Sequence, residues 1–244
     1  MQLKNEKITL RHIKESDIEN YIHWTTVETD WMNWDAPWEW IEDPDPTSFV
    51  EWQRTLLNNP TDGKLEIETR AGKHIGWCNS YYVDDDKEKL AIGIDIPSLD
   101  ARGKGYAFSA LTLFMKHLFA EREILYTQTW SGNLPMIALA KKLGFTEVRR
   151  LKDLREINGK KYDSLTFAIT KEGFLTHRIT NPPKFEINFE EFEGNIDYYF
   201  EKLDADKESE VYITLEDGKQ MVMISYEKYK RLNPNHEELK RIEL

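Results

Sequence analysis

The sequence predicts an α/β chain: a mixed, mostly antiparallel sheet flanked by helices, followed by a small C-terminal α+β domain. Three observations carry this. Runs with strand-like alternation and runs with helical spacing interleave through the first two thirds of the chain. Three strand-like runs follow one another with only turn residues between them, which makes an antiparallel meander. After about residue 174 the pattern restarts as a shorter series of strand, helix, hairpin and helix. The 244 residues, 40% hydrophobic, are enough for one large core and a second, smaller one.

The elements read in order as follows. ITLRHI at 8–13 alternates as a strand, and Ser16-Asp17-Ile18-Glu19 has the spacing of a capping box, opening a helix with Ile18, Tyr21 and Ile22 on one face. Pro37, Pro44 and Pro46 disfavour one continuous helix as far as 46, so a long loop or two short helical turns are expected from Trp24 onward. SFVEWQRTLL at 48–57 is a helix. KLEIETR at 64–70, HIGWCNSYYV at 74–83 and KLAIGIDI at 89–96 are strands, the last two antiparallel neighbours. Ala107, Ala110, Leu111, Phe114, Leu118 and Phe119 mark a helix over 105–120 with one buried face. ILYTQTW is a strand, PMIALAKKL a helix stopped by Gly144, and two further strands form a hairpin around Asn158-Gly159.

THRITNPPK opens an expected interdomain linker at 175–184, and 185–244 form the second domain, with a hairpin turning at Asp217-Gly218. The formal net charge is -11, and residues 185–244 hold 16 Asp/Glu against 8 Lys/Arg, so most of the acidity lies there. Such a charge argues against a nucleic-acid partner and for a cationic one. No apolar run approaches the ~20 residues of a membrane span, and MQLKNEKITL lacks the apolar centre of a secretion signal. A cytoplasmic protein without membrane contact is expected. The single cysteine, Cys78, excludes an intrachain disulfide and reads as core; no Cys/His spacing points to a metal. His12, His23, His74, His117, His177 and His236 are scattered, with no Ser or Cys at a useful spacing.

Chemistry is concentrated in IGIDIPSLDARGKGYAFSAL, 92–111: a strand, a short loop, Arg102-Gly103-Lys104-Gly105-Tyr106-Ala107, then a helix. Glycines at 103 and 105 allow a tight turn with bare amides at a helix start, an anion site suited to a pyrophosphate, with Lys104 at its rim. A Walker loop needs Gly-Lys-Ser/Thr, which Gly105-Tyr106 does not supply, and a dinucleotide fold needs a parallel sheet rather than a meander.

Arg102, Gly105 and Ala107 resemble the Arg/Gln-x-x-Gly-x-Gly/Ala hallmark of the GNAT superfamily of acetyl-CoA-dependent N-acetyltransferases. Asn133, Lys142, Gly144 and Phe145 resemble that family's second element, except that its frequent general-acid Tyr is Ala140 here. The resemblance covers residues 8 to about 170. It implies a splayed sheet in which the strand carrying Ile94 and Ile96 pairs with the pantetheine arm of acetyl-CoA. Residues 102–107 would hold the pyrophosphate, and Asn133 would orient the thioester. Gly93-Ile94-Asp95 looks like the corresponding stretch of aminoglycoside 6'-N-acetyltransferases, which makes Asp95 the expected base for a protonated amine. The N-terminal stretch is similar to those enzymes and to ribosomal-protein N-terminal acetyltransferases.

In GNAT proteins the segment between the first two helices lines the acceptor site, and here it reads WMNWDAPWEW. From Trp24 to Asp45 it holds seven acids and no Lys or Arg. Trp31, Trp34, Asp35, Trp38 and Glu39 are the candidate acceptor residues, because aromatic faces and carboxylates attract cations. A small cationic amine such as an aminoglycoside or polyamine fits. The alternatives are a protein N-terminus or aminoacyl-tRNA, and a ligand-sensing regulator that binds DNA. The last 60 or so residues resemble the prevent-host-death antitoxin family, which implies a homodimer through this domain.

Overall fold

Alternating β-branched and aromatic residues build a sheet of eight strands. These are β1 (Gln2–Lys4), β2 (Ile8–Arg11), β3 (Lys64–Thr69), β4 (His74–Tyr82), β5 (Leu90–Asp95), β6 (Ile124–Trp130), β7 (Thr146–Ile157) and β8 (Lys160–Thr170). Their order is β1-β2-β3-β4-β5-β6-β8-β7, and only the β5–β6 pair is parallel. This computed structural model describes residues 1–42, 45–180 and 184–233. The chain divides into two units between Phe174 and Leu175.

Helices cover both faces of the first unit's sheet. On one face α4 (Tyr106–Leu118) buries Ala110, Leu111, Phe114 and Met115 against Leu10, Leu65, Ile67, Ile92 and Phe167. The other face carries α1 (Ile18–Thr26), a 3₁₀ turn at Thr29–Asn33, α2 (Pro37–Glu42) and α3 (Pro46–Asn58). There Ile18, Tyr21, Trp24, Trp31, Val50 and Trp77 form a second cluster. Burial of each such side chain stabilises by roughly 1.5–3 kcal/mol. The helix α5 (Leu134–Lys142) packs on the α4 side through Ala140.

Several expectations change. Ser16 does not cap α1: a 3₁₀ turn at Glu15–Asp17 precedes it, and the Asp17 carboxylate accepts the Lys14 N–H at 2.7 Å. Ile22 is 42% exposed, because the apolar face is set by Ile18, Tyr21 and Trp24. The stretch read as a linker from 175 is helical as far as Thr180, in α6 (Lys171–Thr180); it holds no Gly or Pro before Pro182, and 181–183 lie outside the described residues.

The feature that positions the site is the parting of β5 from β6. They pair only at Ala91 and Tyr126, and Thr127 Oγ1 donates to the Ile92 carbonyl at 2.8 Å. Beyond that point both strands line a gap. Beside Trp77, the partner of Asp95 across the ladder, Gly76 has no alternative, since a Cβ there would overlap the Asp95 carbonyl oxygen.

In the second unit, β9 (Lys184–Asn188), β10 (Glu210–Thr214) and β11 (Gln220–Ile224) form a sheet in the order β11-β10-β9. The helix read over 190–203 is two, α7 (Phe189–Gly194) and α8 (Ile196–Ala205), broken at Gly194-Asn195; α9 (Tyr226–Leu232) follows β11. Ile187, Tyr199, Leu203, Val211 and Ile213 form a core of its own.

Candidate active site

Where β5 and β6 part, a cavity of about 1040 Å³ opens in the first unit. Its walls include Gly93 to Ile96 of the β5 end, Gln128 to Trp130 of β6, the glycine loop, Asn133, and the segment between α1 and α3. Every candidate site residue lines it except Lys104, which is exposed outside it.

At one end lies the glycine loop. Gly103 and Gly105 have φ of 74° and 79°, the left-handed region that a residue with a Cβ enters only at a cost, and Gly105 caps α4. A Cβ on Gly103 would meet nothing within 4 Å, so the loop faces open space with its amides bare. Arg102 turns back: its guanidinium donates to the carbonyls of Ile96 (2.8 Å) and Pro97 (3.1 Å) and to Asp30 (2.5 Å). It braces the loop against the end of β5, and its hydrogen bond holds the Asp30 carboxyl below the usual range. Lys7, which the sequence does not single out, brings Nζ within 3.4 Å of where a Gly105 Cβ would sit. Only the fold reveals it, since it lies 98 positions away (105 minus 7) in sequence.

Asp95 ends β5 and faces Trp77 across the β4–β5 ladder, where the indole favours its anion. Burial, and then the Asp35 carboxylate, push its pKa well above the ordinary value, against the charges of Lys64 and Arg102. Asp35 reaches the same cavity from the facing segment. Its carboxyl is open to the cavity but hemmed in by protein, and this crowding together with Glu39 raises it to about 6. Both carboxyls facing this space are thus raised above the ordinary range, which makes either one, when ionised, a stronger base toward an ammonium than an ordinary carboxylate.

The tryptophans divide between core and cavity. Trp31 is 3% exposed and donates its indole N–H to the Trp24 carbonyl at 2.8 Å, showing only an edge to the cavity. Trp40 packs edge-on against Trp31 and does not line it. Trp34 is 41% exposed, and its carbonyl accepts from Trp130 Nε1 (3.1 Å) and Asn133 Nδ2 (2.5 Å). Asn133 Oδ1 also caps α5 through the Met136 N–H at 3.0 Å, so both ends of its amide hold structure together. Although 24–45 lacks Lys and Arg, the fold supplies them: the Arg155 guanidinium sits 4.3 Å from the Trp38 ring centroid.

A buried polar chain on the α1 side escaped the sequence reading. Arg11, Glu66, Trp77 and Asp95 lie directly opposite one another across β2, β3, β4 and β5. Arg11 holds Asp17 bidentately at 2.7 and 2.9 Å; His74 joins Asp17 (3.4 Å) to Glu66 (2.8 Å). Lys64 ends the chain at the cavity, bound to Tyr21 Oη (2.5 Å), Gln53 Oε1 (2.6 Å) and Glu66 Oε1 (3.1 Å). His74, 6% exposed at the centre of this network, has carboxylate rather than Ser or Cys partners. Lys64 and Glu66 alternate with Leu65 and Ile67, which in sequence reads as an ordinary solvent face.

The sequence matches the family described as the acetyltransferase (GNAT) domain over residues 7–146, more than half the chain. Among curated proteins, an N-acetyltransferase 9-like protein of Nematostella vectensis is 26% identical over 140 residues, 56% of this chain and 67% of that protein. The SPbeta prophage-derived uncharacterized N-acetyltransferase YokL of Bacillus subtilis is 34% identical over 79 residues, 31% and 45% of the two chains. Among solved structures, a GNAT-family acetyltransferase of Bacillus anthracis matches with a TM-score of 0.58 at 18% identity, covering 70% of this chain and 99% of that one. The spermidine N-acetyltransferase of Vibrio cholerae, in complex with CoA and spermine, matches at 0.56 and 19%, covering 70% and 99%. A ribosomal-protein-alanine N-acetyltransferase of Brucella melitensis gives 0.51 and 20%, covering 66% and 98%. With the family match, the parted strands and the glycine loop at a helix start, the chain belongs to the GNAT acetyltransferase family and is an acyltransferase.

Proposed function

We propose that the protein transfers acetyl from acetyl-CoA to a primary amine of a small cationic acceptor, with Asp95 as base. The observation that carries this is the meeting of Asp95, the bare glycine loop and the acidic aromatic segment in one cavity. Acetyl-CoA supplies an activated acyl thioester. The residues present fit it: Gly103, Gly105 and the start of α4 offer amides to the pyrophosphate, and Ile94 and Ile96 lie at the parted edge of β5. Asp35, Glu39 and Trp34 attract the ammonium; Asp95 takes its proton, leaving a lone pair for attack. Ala140 carries no ionisable group, so the proton for the departing thiolate comes from another residue or from water. A fold relative in complex with CoA and spermine supports this choice of donor and acceptor class.

A second reading has its own support. Residues 149–161, in the β7–β8 hairpin beside the cavity, hold six Lys/Arg against two Asp/Glu, which suits an amine carried on a polyanion such as an aminoacyl-tRNA. An amine panel followed by free-thiol release separates the two. Aminoglycosides and polyamines are expected to release CoA, and Asp95→Asn to lose about 10²–10⁴ in rate with acetyl-CoA affinity retained. No calorimetric binding of acetyl-CoA sinks both readings, and turnover of the polyanion-borne amine alone selects the second.

We further propose that the second unit is a dimerisation module, as its antitoxin-like order of elements implies; its net charge of -8 (8 Lys/Arg minus 16 Asp/Glu) weighs against operator DNA.

A further inference from the structure

The chain from Arg11 to Lys64 asks for a reason to exist. Buried ion pairs seldom add stability, and well-packed apolar replacements of similar volume are often more stable by about 1–4 kcal/mol. A purely structural link between α1, α3 and β3 would therefore be met as well by leucines. What an apolar link cannot supply is a fixed charge at the cavity floor. Lys64 supplies one: its three N–H bonds all find acceptors, an arrangement that only the ammonium completes. Gln53 is turned to serve it, leaving its own buried Nε2 with no partner among the described residues. With all three donors used, Lys64 has none left for a ligand.

Its neighbours show where the charge acts. Nζ lies 5.1 Å from the centroid of the Trp77 ring and 4.8 Å from that of Tyr21, over their faces. Trp77 sits between Glu66 and Asp95 in the cross-strand row, directly opposite Asp95, and its indole favours the Asp95 anion. We propose that Lys64 is a positioning residue for Asp95: its locked ammonium braces the Trp77 indole against that carboxylate and stands behind it as a fixed positive charge. Without Lys64, Asp95 would face Asp35 with only Arg102 to balance it, and Arg102 is already paired with Asp30. Of the other titratable groups around this row, Tyr21, Cys78 and Tyr81 are pushed up by burial and stay neutral near pH 7, while Glu66, held low despite its burial by Lys64 and His74, is the anion on the far side of Lys64 that balances part of its charge. The proposal concerns the same site as the acetyl-transfer reading and takes its purpose from it.

The test follows the side-chain carboxyl ¹³C resonance of Asp95 against pH in the full-length protein, assigned by its loss in Asp95→Asn. Lys64→Met is expected to raise the midpoint by about 1 pH unit, the effect of removing a near opposite charge. Lys64→Arg, which keeps the charge, leaves it near wild type. Trp77→Phe, which keeps a ring but removes the donor, raises it. A midpoint unmoved by Lys64→Met, or moved as far by Lys64→Arg, overturns the proposal; where Lys64→Met does not fold, an unmoved midpoint in Trp77→Phe does so. In turnover, the acidic limb of kcat/KM follows these midpoints. A limb that stays fixed while the midpoints move rejects Asp95 as base and leaves the assignment of Lys64 standing.

Discussion

Asp95 keeps its proton to a higher pH in the folded protein than in the unfolded chain, where its value is near 3.8, because burial and Asp35 disfavour the anion. The folded state then binds more protons between those two values, so this group's contribution to stability falls as pH rises through that window. Asp95→Asn removes the penalty. It is expected to stabilise the protein above the folded-state titration of Asp95, with the gain vanishing below pH 4; urea midpoints at the two pH values check it, and an equal gain at both refutes it. Asp95 was legible in the sequence because Asp is rare within a strand and Gly-Ile-Asp falls in a familiar place. Lys64, Glu66 and His74 were not, since nothing in KLEIET says that its charged side is covered by Tyr21 and Gln53.

Between elements, the contact that matters most is the Trp34 carbonyl, held by Trp130 of β6 and Asn133 at the start of α5. It ties the segment before α2 to the strand and helix on the other side of the cavity. Asn133→Ala loses an N-cap, which costs about 1 kcal/mol, and frees that carbonyl. The acceptor KM is expected to rise several-fold while the acetyl-CoA Kd changes little; equal losses in both would mean that Asn133 serves the thioester instead. The order of strands and helices was readable from alternation and spacing. The single point of pairing between β5 and β6 was not, because strand separation leaves no mark on a period of two. Pro37 and Pro46 did mark the breaks in the helical run, and both stand at the first position of a helix, the short α2 and the 13-residue α3.

For the molecule as a whole, the division into two units follows from separate cores, two clusters in the first unit and, in the second, one built from only five buried apolar side chains among the described residues. That small unit leaves Phe200 54%, Val222 50% and Leu232 58% exposed, more apolar surface than a domain of its size hides alone. The full-length protein is expected to sediment at twice its 28.9 kDa chain mass, and Val222→Asp, on the edge strand β11, to sediment at the single mass. A wild-type monomer would reject the module. The order strand, helix, hairpin, helix was readable in the residues after 184, whereas the break at Gly194-Asn195 and the extent of the exposed apolar side chains needed the fold. The hold on Trp34 also bears on how such a protein changes over generations. Because the anchor is a main-chain carbonyl, the exposed side chains that face the cavity, Trp34, Asp35 and Glu39, can vary without unmooring the segment, so new acceptors can be acquired by substitution there while the donor machinery is inherited intact.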